Sequence, residues 1–202
     1  MFLNPPPSLI LASTSVYRRE LLARLRIPFE SRSPGVDETP QLGETARMLV
    51  GRLAQAKARA VAAECPDAWV IGSDQVAALE GEGSPNTILG KPGSVANCIN
   101  QLLECSGRTL SFHTAVAILR HRDGSMTEFL DTTRVSFRTL DAVTIERYVA
   151  RESPLDCAGG FKSEGLGITL CESIDSTDPT ALIGLPLIRL CTVLRNAGFE
   201  LP

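Results

Sequence analysis

An α/β fold built on a mixed β-sheet is predicted for this chain, and two observations predict it. Short apolar runs alternate with segments of helical period along most of its length. Near the middle, a long antiparallel hairpin interrupts that alternation, which excludes a purely parallel, doubly wound sheet.

Leu9-Ile10-Leu11-Ala12 reads as a short buried strand running into Ser13-Thr14-Ser15, where Ser15 suits a helix N-cap. The helix that follows sets Leu21, Leu22 and Leu25 on one face. Phe29 to Ser33 reads as a second strand closed by Pro34-Gly35, and Val36 to Pro40 as a turn or loop. From about Glu44 to Glu64 one long helix is expected, its stripe formed by Leu49, Val50, Leu53, Ala54, Ala60 and Val61. A buried strand from Ala68 to Ile71 is expected to break at Gly72-Ser73-Asp74 and to continue from Val76 to Leu79.

Gly81 to Asn86 reads as a flexible excursion, Ile88 to Pro92 as a return toward the core, and Val95 to Cys105 as a helix. The hairpin runs from Thr109 to Leu119 and back from Met126 to Arg138 around an Asp123-Gly124 turn. Asp141 caps a helix to Ala150, with Leu140 and Ile145 as a hydrophobic staple. A glycine-studded loop from Ala158 to Gly167 leads to a strand from Ile168 to Cys171, and Pro186 opens the last helix.

At 202 residues the chain fits one domain, residues 1–202, or one core folded as two lobes. Its 44% hydrophobic and 21% charged residues are those of an ordinary soluble globular protein. A net charge of -3 argues against broad nucleic-acid binding but leaves room for a small polyanion in a local basic pocket. No run approaches the about 18 apolar residues that span a bilayer. Met1 to Ser8 has no basic n-region, so the cytoplasm is the expected compartment and no membrane partner is expected. Six scattered cysteines, with no C-x-x-C pair, read as small buried hydrophobes in a reducing compartment.

The residues that carry chemistry begin with Arg18 and Arg19. Both fall in the first turn of a helix, where the macrodipole makes a cation unfavourable by about 0.3–1 kcal/mol each unless an anion sits nearby. Two readings stand: a phosphate cradle made with the serine hydroxyls and free amides, or two solvated surface arginines. Asp74, beside Gly72 and Ser73, is placed at a strand end where it serves as a general base or metal ligand, or bonds its own backbone as a turn aspartate. Its small neighbours let a ligand approach the backbone closely. Asp37 and Glu38 suit magnesium or manganese, which take one or two carboxylates plus phosphate oxygens; solvated turns carrying such pairs are commoner.

Lys57 lies in the apolar stripe, four residues from Leu53 and Val61, where it snorkels, the commoner outcome, or reaches a partner. Lys91, between Gly90 and Pro92, and Lys162, in the glycine loop, are cations held on loops. Together with the arginines they suggest a polyphosphate clamp. The chain has no G-x-x-x-x-G-K-[ST], no G-x-G-x-x-G and no G-x-S-x-G, so P-loop, dinucleotide and serine-hydrolase readings lose support.

Taken in order, several segments resemble the Maf family of nucleotide pyrophosphatases. They are Leu11 to Arg19, Val36-Asp37-Glu38, Arg52 to Ala58, Gly72 to Val76, Gly90-Lys91-Pro92, Cys157 to Gly167 and Ile183 to Leu187. The resemblance implies an elongated mixed sheet with flanking helices forming two lobes around a deep cleft, related to inosine triphosphatase-like enzymes. It implies hydrolysis of a nucleoside triphosphate to the monophosphate and diphosphate with a divalent metal cation, Mg²⁺ or Mn²⁺. Carried over by position, Asp74 would accept the proton of the attacking water, and Glu38 would join it in binding the metal. Ser13, Arg18, Arg19, Lys57, Lys91 and Lys162 would hold the phosphates. The trio Tyr17, Gln75 and Glu164 resembles the branch acting on 7-methyl-GTP, whereas the dTTP/UTP branch carries arginine, threonine and glutamine there. Val16-Tyr17 replaces the Pro-Trp typical of that branch, and the Gly81 to Asn86 excursion is longer than usual. A nucleotide-binding septum regulator without turnover is the non-enzymatic alternative. Related proteins often pair as homodimers.

Overall fold

The structure is a computed structural model that describes residues 7–79 and 87–202, so the Gly81 to Asn86 excursion lies outside the described residues. Four apolar residues, Leu9–Ala12, form β1 at the centre of a parallel trio. On one side lies β2, Glu30–Arg32, and on the other β3, Trp69–Leu79. Helices α1, Val16–Ala23, and α2, Ala46–Glu64, make the two crossovers that parallel pairing requires. Past β3 the sheet turns antiparallel. The short β4, Thr87–Leu89, pairs with the far end of β3. Alongside β3 come β5, Thr109–Arg120, then β6, Ser125–Phe137, and β7, Cys171–Asp175. Among the described residues the order is β2-β1-β3-β5-β6-β7 with β4 on β3 off this path, a seven-stranded mixed sheet as the alternation and the hairpin predict.

β3 is the axis of the molecule, and its alternation sorts the helices. Val70, Val76 and Ala78 face Leu49, Leu53, Ala54 and Ala58 of α2. On the opposite face, Trp69 and Ile71 pack with Leu21 and Leu22 of α1 and with Leu190 and Leu194 of the last helix, Leu187–Asn196. Farther along that face, Ala77 and Leu79 join a second core. It holds Cys98 and Leu102 of α3, Val95–Cys105, Ile145 and Tyr148 of α4, Ala142–Glu152, and Phe112 and Phe161. The last helix, Leu187–Asn196, is α5. Two helix layers therefore share one face of a single long sheet, and they are the two lobes. Buried Cys98 and Cys171 have their thiols pushed up to about 11 by burial, and Cys105 to about 12, so all three behave as apolar packing groups at neutral pH.

The two expected caps fall in place. Ser15 and Asp141 each accept a backbone N–H in the first turn of α1 and α4. Thr45 and Ser94 do the same for α2 and α3. Leu140 packs on the core that Ile145 enters, in keeping with a staple. At the hairpin end, His121–Asp123 forms one 3-10 turn and Gly124 takes φ 68°, the left-handed conformation that suits glycine.

Three expectations are corrected. β3 does not break at Gly72-Ser73-Asp74; it runs unbroken for 11 residues, and Asp74 sits mid-strand opposite Ala115. Nor does Gly72 admit a ligand, because a Cβ there would lie 2.2 Å from the carbonyl oxygen of Ala54 and 2.5 Å from the amide of Ala58. The backbone of α2 occupies that space. Likewise Leu166–Leu170 is 3-10 helix and strand pairing starts only at Cys171, the partner of Phe137 beside a bulge in β6. Gly167 allows that tight winding, since a Cβ would meet the Lys162 carbonyl oxygen at 2.3 Å.

Among the described residues no helix is long and apolar enough to cross a membrane. The close approach at Gly72 makes a sharp prediction. Gly72→Ala must push α2 off the sheet and should cost about 1–3 kcal/mol or more, the range for overpacking a filled core. Urea unfolding of the variant checks it; unchanged stability would contradict the close approach.

Candidate active site

The ladders of β3 leave one gap. β1 pairs with it as far as Gly72, and β4 begins at Ala77, so among the described residues 73–76 have a ladder partner only on the β5 side. A cavity of about 890 Å³ opens at that free edge. Because it lies at an edge and not over a face, successive residues Asp74, Gln75 and Val76 all line it.

Asp74 points to the α2 side of the sheet, where Lys57 meets it. Lys57 is 5% exposed, and its Nζ lies 2.6 Å from Asp74 Oδ1 and 2.6 Å from Glu38 Oε1. It does not snorkel; it reaches inward to two carboxylates, because their charge offsets the cost of burying an ammonium. Burial pushes the Glu38 carboxyl up, but the Lys57 hydrogen bond and the charges of Lys57, Lys91 and Arg18 outweigh it and hold the group below its ordinary value. Both carboxylate oxygens bond one nitrogen, so they lie within twice 2.6 Å of each other.

The first turn of α1 forms the facing wall. Ser13 Oγ accepts the Ser15 N–H at 3.1 Å, and Ser15 Oγ accepts the Arg18 N–H. Arg18 Nε donates to the Gly184 carbonyl at 2.9 Å, and the same carbonyl accepts from Ser73 Oγ at 3.1 Å. Burial pulls the Arg18 guanidinium below the usual arginine range, against the opposing pull of Asp74 and Glu38. Gln75 Nε2 is 2.9 Å from the Leu182 carbonyl, 3.0 Å from the Ala181 carbonyl and 3.0 Å from Thr114 Oγ1, so its amide nitrogen braces the 181–184 segment. That segment is fastened in turn by buried Asp178, which accepts the Thr180 and Ile188 N–H groups.

Ser13, Tyr17, Arg18, Glu38, Lys57, Asp74, Gln75, Lys91 and Glu164 thus share one cavity. Two expected residues do not line it. Arg19 is exposed on α1 and turns away from the cavity that Val16, Tyr17 and Arg18 line. Lys162 is drawn to Glu152, with its Nζ 2.9 Å from Oε1 and 5.8 Å from the centre of the Tyr17 ring. Burial pushes the Tyr17 phenol up, with Cys157 and Asp156 adding to the shift. The carbonyl of Gly184 and the hydroxyl of Ser73 escape a reading of the sequence, because a backbone acceptor 111 residues from its donor leaves no pattern.

For a divalent cation the described residues hold no group of three or more His, Cys, Asp or Glu. They do hold two carboxylates at the cavity wall, Asp74 and Glu38, each with one oxygen on the Lys57 ammonium, and magnesium and manganese accept one or two carboxylates when phosphate and water complete the shell.

The sheet of this α/β protein thus opens at one edge onto a cavity of mixed cations and carboxylates. The chain belongs to the Maf family: the family model described as Maf-like protein matches residues 8–197. The protein named 7-methyl-GTP pyrophosphatase in Xanthomonas oryzae pv. oryzae (strain MAFF 311018) is 55% identical over 97% of this chain and 100% of its own length. Proteins of the same name in Aromatoleum aromaticum and Albidiferax ferrireducens are 56% and 53% identical, over 96% and 95% of this chain and 97% and 94% of theirs. The Ham1 protein of Staphylococcus aureus overlaps 65% of this chain and 72% of its own at 16% identity and a TM-score of 0.44, a likeness too partial to carry an argument.

Removing Lys57 leaves two close carboxylates without their shared cation. Lys57→Met should cost about 3–5 kcal/mol at pH 7, the penalty for breaking a buried pair. The sign with pH follows from Glu38, whose carboxyl is lowered on folding. Its contribution is full above the ordinary value of 4.5 and is lost as pH falls through the lower folded value. Thermal unfolding against pH should therefore show the gap between native protein and variant narrowing toward low pH, as the variant's unpaired carboxylates take up protons and the native pair loses Glu38; a constant gap would contradict the pairing.

Proposed function

We infer that this chain is a nucleoside triphosphate pyrophosphatase that hydrolyses 7-methyl-GTP to 7-methyl-GMP and diphosphate. The observation that carries this reading is a single cavity joining a carboxylate beside cations, Asp74 with Lys57, Arg18 and Lys91, to an aromatic ring and a second carboxylate, Tyr17 and Glu164. The names of relatives matched over nearly their whole length support it.

Asp74 accepts the proton of a water molecule as its oxygen attacks the α-phosphorus. The bond from that phosphorus to the oxygen bridging to the β-phosphorus breaks, and diphosphate leaves. Lys57 holds the Asp74 carboxylate by Oδ1, which fixes its orientation. Arg18, braced by the Gly184 carbonyl, and Lys91 meet the negative charge that grows on the leaving group. Glu38 and Asp74 would hold a magnesium or manganese ion, which supplies further positive charge to the phosphates when bound.

At the other end of the cavity the base is read. Methylation at N7 makes guanine cationic, so the ring of Tyr17 attracts it by about 0.5–2 kcal/mol. Glu164 accepts hydrogen bonds from the N1–H and the N2 amino group, and its charge favours the cationic base over neutral guanine. The enzyme clears this modified nucleotide in the cytoplasm, where triphosphates are made and spent.

A screen of 7-methyl-GTP, GTP, dTTP and UTP with magnesium or manganese tests the substrate. Fastest turnover of 7-methyl-GTP is expected; equal rates on all four would overturn the specificity, and no turnover would favour a nucleotide-binding regulator. Asp74→Asn should retain nucleotide binding in a calorimetric titration while losing about 10²–10⁴ in rate, the share of general-base catalysis. Glu164→Gln should erode the preference for the methylated base more than it slows the reaction. Equal loss on every substrate would contradict the role given to Glu164.

A further inference from the structure

Behind the cavity wall, α4 carries two enclosed polar side chains that the reaction above does not use. Tyr148 and Glu152 are four residues apart and so share one helix face. The Tyr148 hydroxyl donates to the Gly160 carbonyl at 3.2 Å and accepts the Lys162 backbone N–H at 3.1 Å. Glu152, with a side chain 13% exposed, takes the Lys162 ammonium on Oε1 at 2.9 Å and the Leu166 N–H on Oε2 at 2.7 Å. Gly165 makes room for it, since a Cβ there would lie 2.5 Å from Glu152 Oε2. The Leu166 N–H and then Lys162 hold the Glu152 carboxyl below its ordinary value, so it is charged at neutral pH.

The segment 162–166 is thereby fastened at both ends, and Glu164 stands between the fastenings with its side chain at the cavity. The Glu152 ion pair also holds the Lys162 ammonium over the face of Tyr17. An ion pair this enclosed adds little net stability over apolar packing, so what it contributes is geometry.

We propose that the Tyr148 and Glu152 face of α4 is a positioning clamp for base selection, holding Lys162 back on Glu152 and setting Glu164 at the cavity with Tyr17 so that the cavity tells a cationic purine from a neutral one. The clamp touches no substrate and acts through the loop it holds. It rests on reading this end of the cavity as the base site.

The test compares kcat and KM for 7-methyl-GTP and for GTP in the unaltered protein and in Glu152→Ala, Glu152→Gln and Tyr148→Phe. Glu152→Ala should lower the ratio of the two kcat/KM values by about tenfold, the effect of removing one charge-assisted hydrogen bond. The change should fall on KM for the methylated substrate and not on kcat. Glu152→Gln still accepts the Leu166 N–H and fills the same space, so it should restore part of the ratio. Tyr148→Phe keeps the ring and should shift the ratio in the same direction as Glu152→Ala. If Glu152→Ala does not fold, the other two variants decide by the same ratio. A preference that survives in every folded variant, or a decrease equal on both substrates, overturns the clamp alone. Absence of preference in the unaltered protein overturns the substrate reading and the clamp with it.

Discussion

An ammonium buried between two carboxylates is the interaction on which the rest of this structure depends. Lys57 is taken out of water in the middle of the buried apolar stripe of α2, a costly placement unless opposite charge comes with it. Asp74 from the sheet and Glu38 from the loop before α2 supply that charge, each at 2.6 Å. The same interaction dictates packing. The ammonium reaches the strand because α2 lies almost on the backbone of β3, and it lies there because Ala54, Ala58 and Gly72 present so little bulk. Small residues where one helix meets the sheet thus set the geometry of a charged site about one helical turn away.

A second constraint is the interrupted edge of β3. A strand of 11 residues with two different partners on one side leaves some positions without a ladder there, and among the described residues they are 73–76. With no ladder partner on that side among the described residues, the stretch forms the floor of the cleft that Asp74, Gln75 and Val76 line. The open edge also explains why side chains of opposite parity, Asp74 and Gln75, serve one cavity. α1 borders the opening on one side and the 156–164 loop on the other, so two different cores hold its walls.

The loop at 180–187 shows how the site is kept in shape. Its carbonyls take Arg18, Ser73 and Gln75, and buried Asp178 ties it to the start of α5. Arg18 is therefore aimed by backbone and is not a loose surface cation. Charge braced in this way is preorganised, its orientation set by the fold.

Much was determined by the sequence alone. Apolar runs and the caps at Ser15 and Asp141 place the elements, because these are local signals carried by neighbouring residues. One arginine in a first turn, Arg18, and a lysine in an apolar stripe, Lys57, mark the cavity, because each violates a local rule that an anion or a partner would satisfy. Only the tertiary structure decided that Lys57 turns inward to Asp74, that Gly72 yields to a helix and not to a ligand, and that Lys162 goes to Glu152 while Arg19 faces solvent. Those outcomes turn on distances between segments far apart in the chain. No spacing of residues encodes them, because a side chain takes its partner from whatever the packing of the sheet brings within reach.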